Sequence, residues 1–254
     1  MFGAPGGRTA GALHSRPMEF VYVVERSRLF DLSFPHGFVA ATGSPAAQKA
    51  GADHIARMRA HGFFVERRAA EQNSAWKQVI PYVVVKRGDS LLLLERKKKQ
   101  GEVRLHGKLS IGVGGHINPV DGPAGEGGKS AQGGTRDVLL EGLKRELEEE
   151  LDVQGRLDVK AAGFLNDDST DVGSVHYGLV AVADARDAQV AIRETEMMEG
   201  RFVPRAELLA LHREQRERFE TWSSLLLDQL DAVLAADLPL ADALGGALAA
   251  APGR

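Results

Sequence analysis

The chain contains no cysteine in its 254 residues. Disulfide frameworks, thiolate-bound zinc, iron–sulfur clusters and thiol nucleophiles are therefore excluded. Long apolar runs are missing too, since none approaches the ~20 residues needed to cross a bilayer. Neither sign of charge dominates: 32 basic residues face 35 acidic ones, for a net charge of −3. That balance removes a broad electrostatic case for nucleic acid. No Gly-x-Ser-x-Gly elbow occurs, and no His-x-x-x-His pair of metal-ligand spacing. Proline is sparse, with 10 residues against 29 glycines. What remains is 43% apolar and 26% charged, the balance of a soluble globular protein with material for one large domain or two small ones.

Residues 1–17 are rich in Gly and Ala, carry no acid and show no periodicity. They read as a disordered tail, with Met18 an equally good start. They lack the apolar core of a secretory signal, so a cytoplasmic protein is expected. An N-terminal extension over 18–75 holds strands at Glu19–Glu25 and Phe63–Arg67 around a helix at Gln48–Arg59. Strands at Gln78–Lys86 and Ser90–Glu95 flank the turn Arg87-Gly-Asp89, followed by a short strand at Leu109–Val113. A Gly-rich segment, Gly114 to Gly134, leads into an amphipathic helix over Asp137–Leu151. Late strands are expected at Val175–Ala183 and Gly200–Val203. A long helix over Glu207–Leu234 carries Trp222, Leu225, Leu226 and Leu230 as its stripe, which could be core or the surface of a homodimer. Mixed hairpins and helices indicate an α/β protein with a mixed sheet between helices.

The segment Arg145-Glu-Leu-Glu-Glu-Glu-Leu151 carries the chemistry. At 100° per residue, Glu146, Glu149 and Glu150 fall within about 100° of one another. Leu140, Leu143, Leu147 and Leu151 cluster roughly 115° away. One stripe faces a core and the carboxylate face lies beside it. Hard divalent cations take oxygen ligands, and Mg²⁺ is usually held by one or two carboxylates with substrate phosphates. Spacing alone also allows a solvated acidic face.

Ser110-Ile-Gly-Val-Gly-Gly-His116, Asp137 and Arg145-Glu-Leu-Glu-Glu-Glu-Leu-Asp-Val153 together resemble the Nudix box. That pattern runs Gly, five residues, Glu, seven residues, then Arg-Glu-aliphatic-x-Glu-Glu-x-Gly-aliphatic. Gly115 stands at the leading glycine, and Arg145, Glu146, Leu147, Glu149, Glu150 and Val153 match in register. Counted seven residues back from Arg145, the first carboxylate is Asp137, able to pair with Arg145 in a structural role. The late glycine is replaced by Asp152, which is expected to keep the left-handed turn that ends the helix. Between Gly115 and Asp137 lie 21 residues where the pattern has five.

The resemblance implies a Nudix domain over 76–215, with the box at 114–153 and an inserted loop at 117–136. A C-terminal helix and tail, 216–254, complete the chain. The fold it implies is a mixed β-sheet sandwiched between helices. It also implies Mg²⁺ or Mn²⁺ on Glu146, Glu149, Glu150 and the backbone carbonyl near Gly115, with the three glutamates as the catalytic set. The activity implied is hydrolysis of a diphosphate linkage in a nucleoside diphosphate joined to another moiety, a small-molecule substrate. A further downstream glutamate, Glu194, Glu196 or Glu199, would assist. Lys77-Gln-Val-Ile-Pro-Tyr82 and Phe34-Pro-His-Gly-Phe38 are similar to a bacterial subgroup described as predicted phosphoesterases. The alternative function is a Nudix-fold module that binds a nucleotide ligand without turnover.

Other segments carry competing signals. Gly122-Pro-Ala-Gly-Glu-Gly-Gly-Lys-Ser130 nearly spells a P-loop, but Pro123 stands where the first glycine belongs and Ala-Gln-Gly-Gly is a poor helix start. A mobile inserted loop over the site, from about Asn118 to Thr135, accounts for these glycines better. Arg96-Lys-Lys-Lys99 with Arg104, His106 and Lys108 is the concentrated basic patch. Lys97, Lys99, Arg104 and His116 are the expected substrate contacts.

Overall fold

The computed structural model describes residues 18–30, 35–97, 107–122, 137–193, 195–196 and 198–244. The first elements are β1 (Phe20–Glu25), α1 (Arg26–Leu29), β2 (Gly37–Ala40), α2 (Pro45–His61), β3 (Gly62–Glu66) and α3 (Arg67–Glu71). The middle of the chain forms β4 (Trp76–Arg87), β5 (Ser90–Arg96), β6 (Leu109–Ser110), β7 (Gly112–Val113) and α4 (Val138–Glu150). Then follow β8 (Leu151–Gly155), β9 (Asp158–Asn166), α5 (Asp171–Ser174), β10 (His176–Asp184), β11 (Ala188–Ile192) and β12 (Met198–Pro204). The chain closes with α6 (Arg205–Glu214), α7 (Thr221–Leu227), α8 (Leu230–Leu234), β13 (Leu238–Pro239) and α9 (Leu240–Ala243).

Among the described residues, eleven strands make one sheet with the central path β12-β5-β4-β10-β9-β13, and β8 pairs with β11 in a separate ribbon. β4 and β10 run parallel from Gln78↔His176 to Lys86↔Asp184, while β10–β9 and β12–β5 are antiparallel. The sheet is therefore mixed. Strands of the N-terminal extension are hydrogen-bonded into it, since β1 pairs with both β3 and β4.

Alternation along β4 divides the core. Val79, Val83 and Val85 face a cluster that includes Ile55 and Met58 of α2 and Leu139, Leu140, Leu143 and Leu147 of α4. Tyr82 and Val84 face the opposite cluster, with Leu208 of α6, Leu226 and Leu227 of α7, and Leu230 and Val233 of α8. Period-2 burial on both faces is what a central strand between two helical layers requires.

The expected helix over Glu207–Leu234 is instead broken into α6, α7 and α8. Its first break comes at Gln215, in a polar run where no apolar residue holds the period. Phe219 then bridges to Leu109, and Glu220 N–H donates to Leu109 O at 2.9 Å. The stripe packs on this chain's own sheet: Leu226 and Leu230 are buried, and Trp222 and Leu225 are half-buried. It thus gives no argument for a dimer surface. No helix among the described residues is long and apolar enough to cross a membrane.

Candidate active site

α4 begins where Asp137 Oδ1 accepts hydrogen bonds from the N–H groups of Leu139 (3.1 Å) and Leu140 (2.9 Å). This is an N-cap satisfying two otherwise orphaned donors. Burial of Leu139, Leu140, Leu143 and Leu147 holds the helix against the sheet, each side chain stabilising by about 1.5–3 kcal/mol. At Gly142 the approach is tight, because a Cβ there would lie 2.8 Å from Ile117 Cγ1. The helix and the segment after Gly115 are thereby fixed against each other.

That segment corrects the register of the box. Arg145 does not pair with Asp137, whose carboxylate is shared between the helix cap and Arg59. Its partner is Asp121, six residues after Gly115, which accepts from Arg145 Nε and Nη2 at 2.9 Å each. Asp121 also accepts from Asn118 N–H at 2.8 Å and is 3% exposed. Five residues separate Gly115 from Asp121, as the pattern requires, whereas the acid seven residues ahead of Arg145 is the helix cap. The extra length therefore follows Asp121. Ile117 and Asp121 are buried and Pro119–Asp121 forms a 3-10 turn, while Pro119 and Val120 are exposed. The remainder of the expected loop, 123–136, lies outside the described residues.

Arg145 organises the site. Besides Asp121 it donates to His116 O at 2.7 Å, to Glu146 at 2.8 Å and to Glu149 at 2.9 Å. The Asp121 hydrogen bonds above all raise its already high pKa. Glu146 is 8% exposed and packs on Gly115, where a Cβ would sit 2.4 Å from its Oε2. Burial first, then the neighbouring Glu149 and Glu150, push the Glu146 carboxyl up to about 7 despite Arg145. Glu150 lines a cavity of about 570 Å³, whereas Glu148 points to solvent. Among the described residues, no three His, Asp or Glu side chains form a ready-made cation cage. The Arg145 Nη1 stands between Glu146 and Glu149 instead.

The expected turn at Asp152 is not made. No non-glycine residue among those described has positive φ, and Leu151 is already extended at φ −121°, ψ 137°. Asp152 lies in β8 opposite Ala191. Arg193 caps the helix end, its backbone N–H donating to Glu150 O and its Nε to Leu151 O, both at 2.9 Å.

Gly114, Gly115 and His116 line the cavity with Tyr82, Ser110 and Trp222. Tyr82 O–H lies within 3.0 Å of Ser110 Oγ and 2.9 Å of Ser223 Oγ, tying α7 to β4 and β6. Among the described residues, Arg96 and Lys108 supply its cationic side chains. Lys97 does not line it: Lys97 Nζ bonds Glu199 at 2.8 Å and Thr195 O at 2.9 Å. Lys99, Arg104 and Glu194 lie outside the described residues. Glu199 is occupied by Lys97, and Glu196 is exposed away from the lining. The downstream carboxylates that do face the cavity are Asp171 and Glu220, the latter paired with Arg96 at 3.1 Å.

His116 meets His176 across the cavity wall, Nε2 to Nε2 at 3.3 Å, and His176 Nδ1 lies 2.6 Å from Val172 O. Burial, helped by Arg67, His176 and Arg145, draws His116 down to about 3. Burial likewise lowers His176, with Val172 O opposing and Arg67 assisting.

No protein-family model matches the chain. The crystal structure of Tm1382, a protein assigned to the Nudix hydrolases, is similar to it with a TM-score of 0.62 and 27% identity, covering 84% of this chain and 98% of that one. The chain belongs to the Nudix superfamily, and its class is that of the pyrophosphohydrolases. It is similar also to Protein YmaB of Bacillus subtilis (strain 168), at 37% identity over 183 residues, 71% of this chain and 84% of that protein.

Proposed function

We propose that the protein hydrolyses the diphosphate linkage of a nucleoside diphosphate joined to another group, with Mg²⁺ or Mn²⁺. The observation that carries this reading is the carboxylate face of α4, with Glu146 packed on Gly115 and Glu150 opening onto a cavity that also holds Arg96 and Lys108. The donor set suits a hard divalent cation: three carboxylates, one buried and crowded by two others, beside a backbone carbonyl. Glu146, Glu149, Glu150 and the Gly115 carbonyl would hold it. When bound, such an ion lowers the pKa of a water and neutralises charge on phosphate oxygens. Arg145, braced by Asp121, orients Glu146 and Glu149 on their helix. Arg96 and Lys108 attract the substrate's phosphates, while the Trp222 and Tyr82 rings wall the apolar part of the cavity.

A second reading, a module that binds such a ligand without turnover, draws on Arg145 occupying the space between Glu146 and Glu149. One assay separates them. Purified protein is mixed with Mg²⁺ or Mn²⁺ and nucleotide sugars, dinucleotides or nucleoside triphosphates, and phosphate products are followed. Turnover of a diphosphate-linked compound is expected; binding without product would leave the module.

A further inference from the structure

We infer that the turn between β9 and β10 is a specificity rim, held in place by Lys77, whose Asp171 and Val172 receive a hydroxyl-bearing sugar ring on the group joined to the diphosphate. Lys77 is fully buried on β4, and its Nζ donates to Asp168 Oδ1 at 2.7 Å and to Gly173 O at 3.0 Å. Those acceptors lie five residues apart, so one ammonium ties both ends of the turn to the sheet. Arg26 grips the same ends, bonding both oxygens of Asp168 and reaching Ser174 O at 3.4 Å. Asn166 adds a third hold, donating to Asp168 Oδ2 at 3.1 Å and to Pro35 O at 2.9 Å. Lys77 and Pro35, from the two motifs set apart in the sequence, thus meet at one turn. Burying an ammonium is costly, and apolar side chains of similar volume often serve stability as well as a buried ion pair does. What lysine supplies here is a fixed position for the turn.

Between these anchors, Asp171 and Val172 of α5 line the cavity. Val172 is 66% exposed there. Ser174 Oγ donates to the backbone O of Asp171, but among the described residues no donor meets its carboxylate. An apolar side chain beside an open carboxylate suits a sugar ring, which offers a C–H face and hydroxyl donors. Phosphate, repelled by Asp171, is disfavoured at this end. In the strand order β5-β4-β10, Arg96 and Lys108 stand on the β5 side and α5 on the β10 side. Phosphates and ring are thus received on opposite sides of β4. Lys77 is not part of the cavity wall, so it is a positioning residue that acts through the turn. The inference rests on the proposed function for the diphosphate and deepens it by naming the class of the joined group.

The test is isothermal titration calorimetry of the full chain, with Ca²⁺ in place of Mg²⁺, against ADP-ribose, ADP-glucose and the cyclohexyl ester of ADP. The ester keeps the ring size and removes the hydroxyls. At least one sugar compound should bind about tenfold or more tightly than the ester, the scale of a hydrogen bond to a charged group. Asp171→Ala should bring that ratio close to one. Lys77→Met should cut it about threefold or more, because a misplaced contact loses much of its worth. In the Asp171→Ala background, Lys77→Met should change the ratio no further. If Lys77→Met does not fold, Arg26→Met, which leaves Lys77 on Asp168, carries the same expectation. A merely structural lysine would lower the melting temperature and leave the ratio as in the wild type, which overturns the inference. Equal affinities for the three compounds, binding of none of them, or a wild-type ratio in Asp171→Ala would overturn it too. Binding with the expected ratios but no turnover in Mg²⁺ or Mn²⁺ would instead fail the proposed function and leave the rim standing.

Discussion

Asp121→Asn is the substitution whose effect follows most directly from the geometry. Asp121 is 3% exposed, and its two oxygens accept three hydrogen bonds, two from Arg145 and one from Asn118 N–H. Asparagine keeps the shape but turns one oxygen into a donor, facing N–H groups that need acceptors. It also leaves the Arg145 guanidinium, 21% exposed, without its main counter-charge. Breaking a buried pair in this way costs about 3 kcal/mol, discounted only modestly for the exposed edge of Arg145. Asp137→Asn gives the contrast. Asparagine caps a helix as well as aspartate, and the Arg59 pair is 36% and 18% exposed on its two sides, so the loss should stay below about 1 kcal/mol. Urea unfolding of both variants measures the difference. Asp121→Asn should also weaken Mn²⁺ binding, because the freed guanidinium turns toward Glu146 and Glu149. A larger loss from Asp137→Asn than from Asp121→Asn would refute this register of the box.

Other outcomes follow from the same structure. Against the upward push of burial, hydrogen bonds from Arg26, Lys77 and Asn166 hold the Asp168 carboxyl down to about 2. A depressed folded pKa means stability present above pH ~4 and lost as pH falls through 2, worth up to about 2 kcal/mol; burial lowers Lys77 at the same time and trims the figure. Asp168→Asn should flatten that acid limb in urea midpoints measured from pH 5 to 2. Gly142→Ala should destabilise by about 1–3 kcal/mol in thermal melts, since its methyl meets Ile117 in a packed wall. Lys108→Gln should raise KM and lessen its salt dependence, if the cavity cations meet phosphate; unchanged kinetics at low salt would return Lys108 to a structural part.

Much of this was written in the order of residues. The leucine spacing of 139–147 and the glutamates beside it specify α4 and its two faces because a 3.6-residue period is a local property. Asp121 was equally legible, six positions after Gly115, but a second acid at the right distance before Arg145 competed, and Asp137 turned out to serve as the cap. β9 carries no local signal because Lys160-Ala-Ala-Gly163 has low strand propensity; its place comes from pairing on both sides, with β10 and β2. The breaks between α6, α7 and α8 depend on the contact of Phe219 with Leu109, which no local period encodes. His176 offers no signal in sequence, since it meets His116 only in the fold, 60 residues away.

The central claim is that the carboxylate face of α4 is a metal site. Electron paramagnetic resonance titration of Mn²⁺ into the wild type and into Glu148→Gln, Glu149→Gln and Glu150→Gln tests it most directly. Glu149→Gln and Glu150→Gln should each weaken binding at least about tenfold and, with substrate, lower turnover by about 10²–10⁴. Glu148→Gln, on the solvent side of the helix, should bind as the wild type does. Equal affinities in all four proteins would contradict the claim.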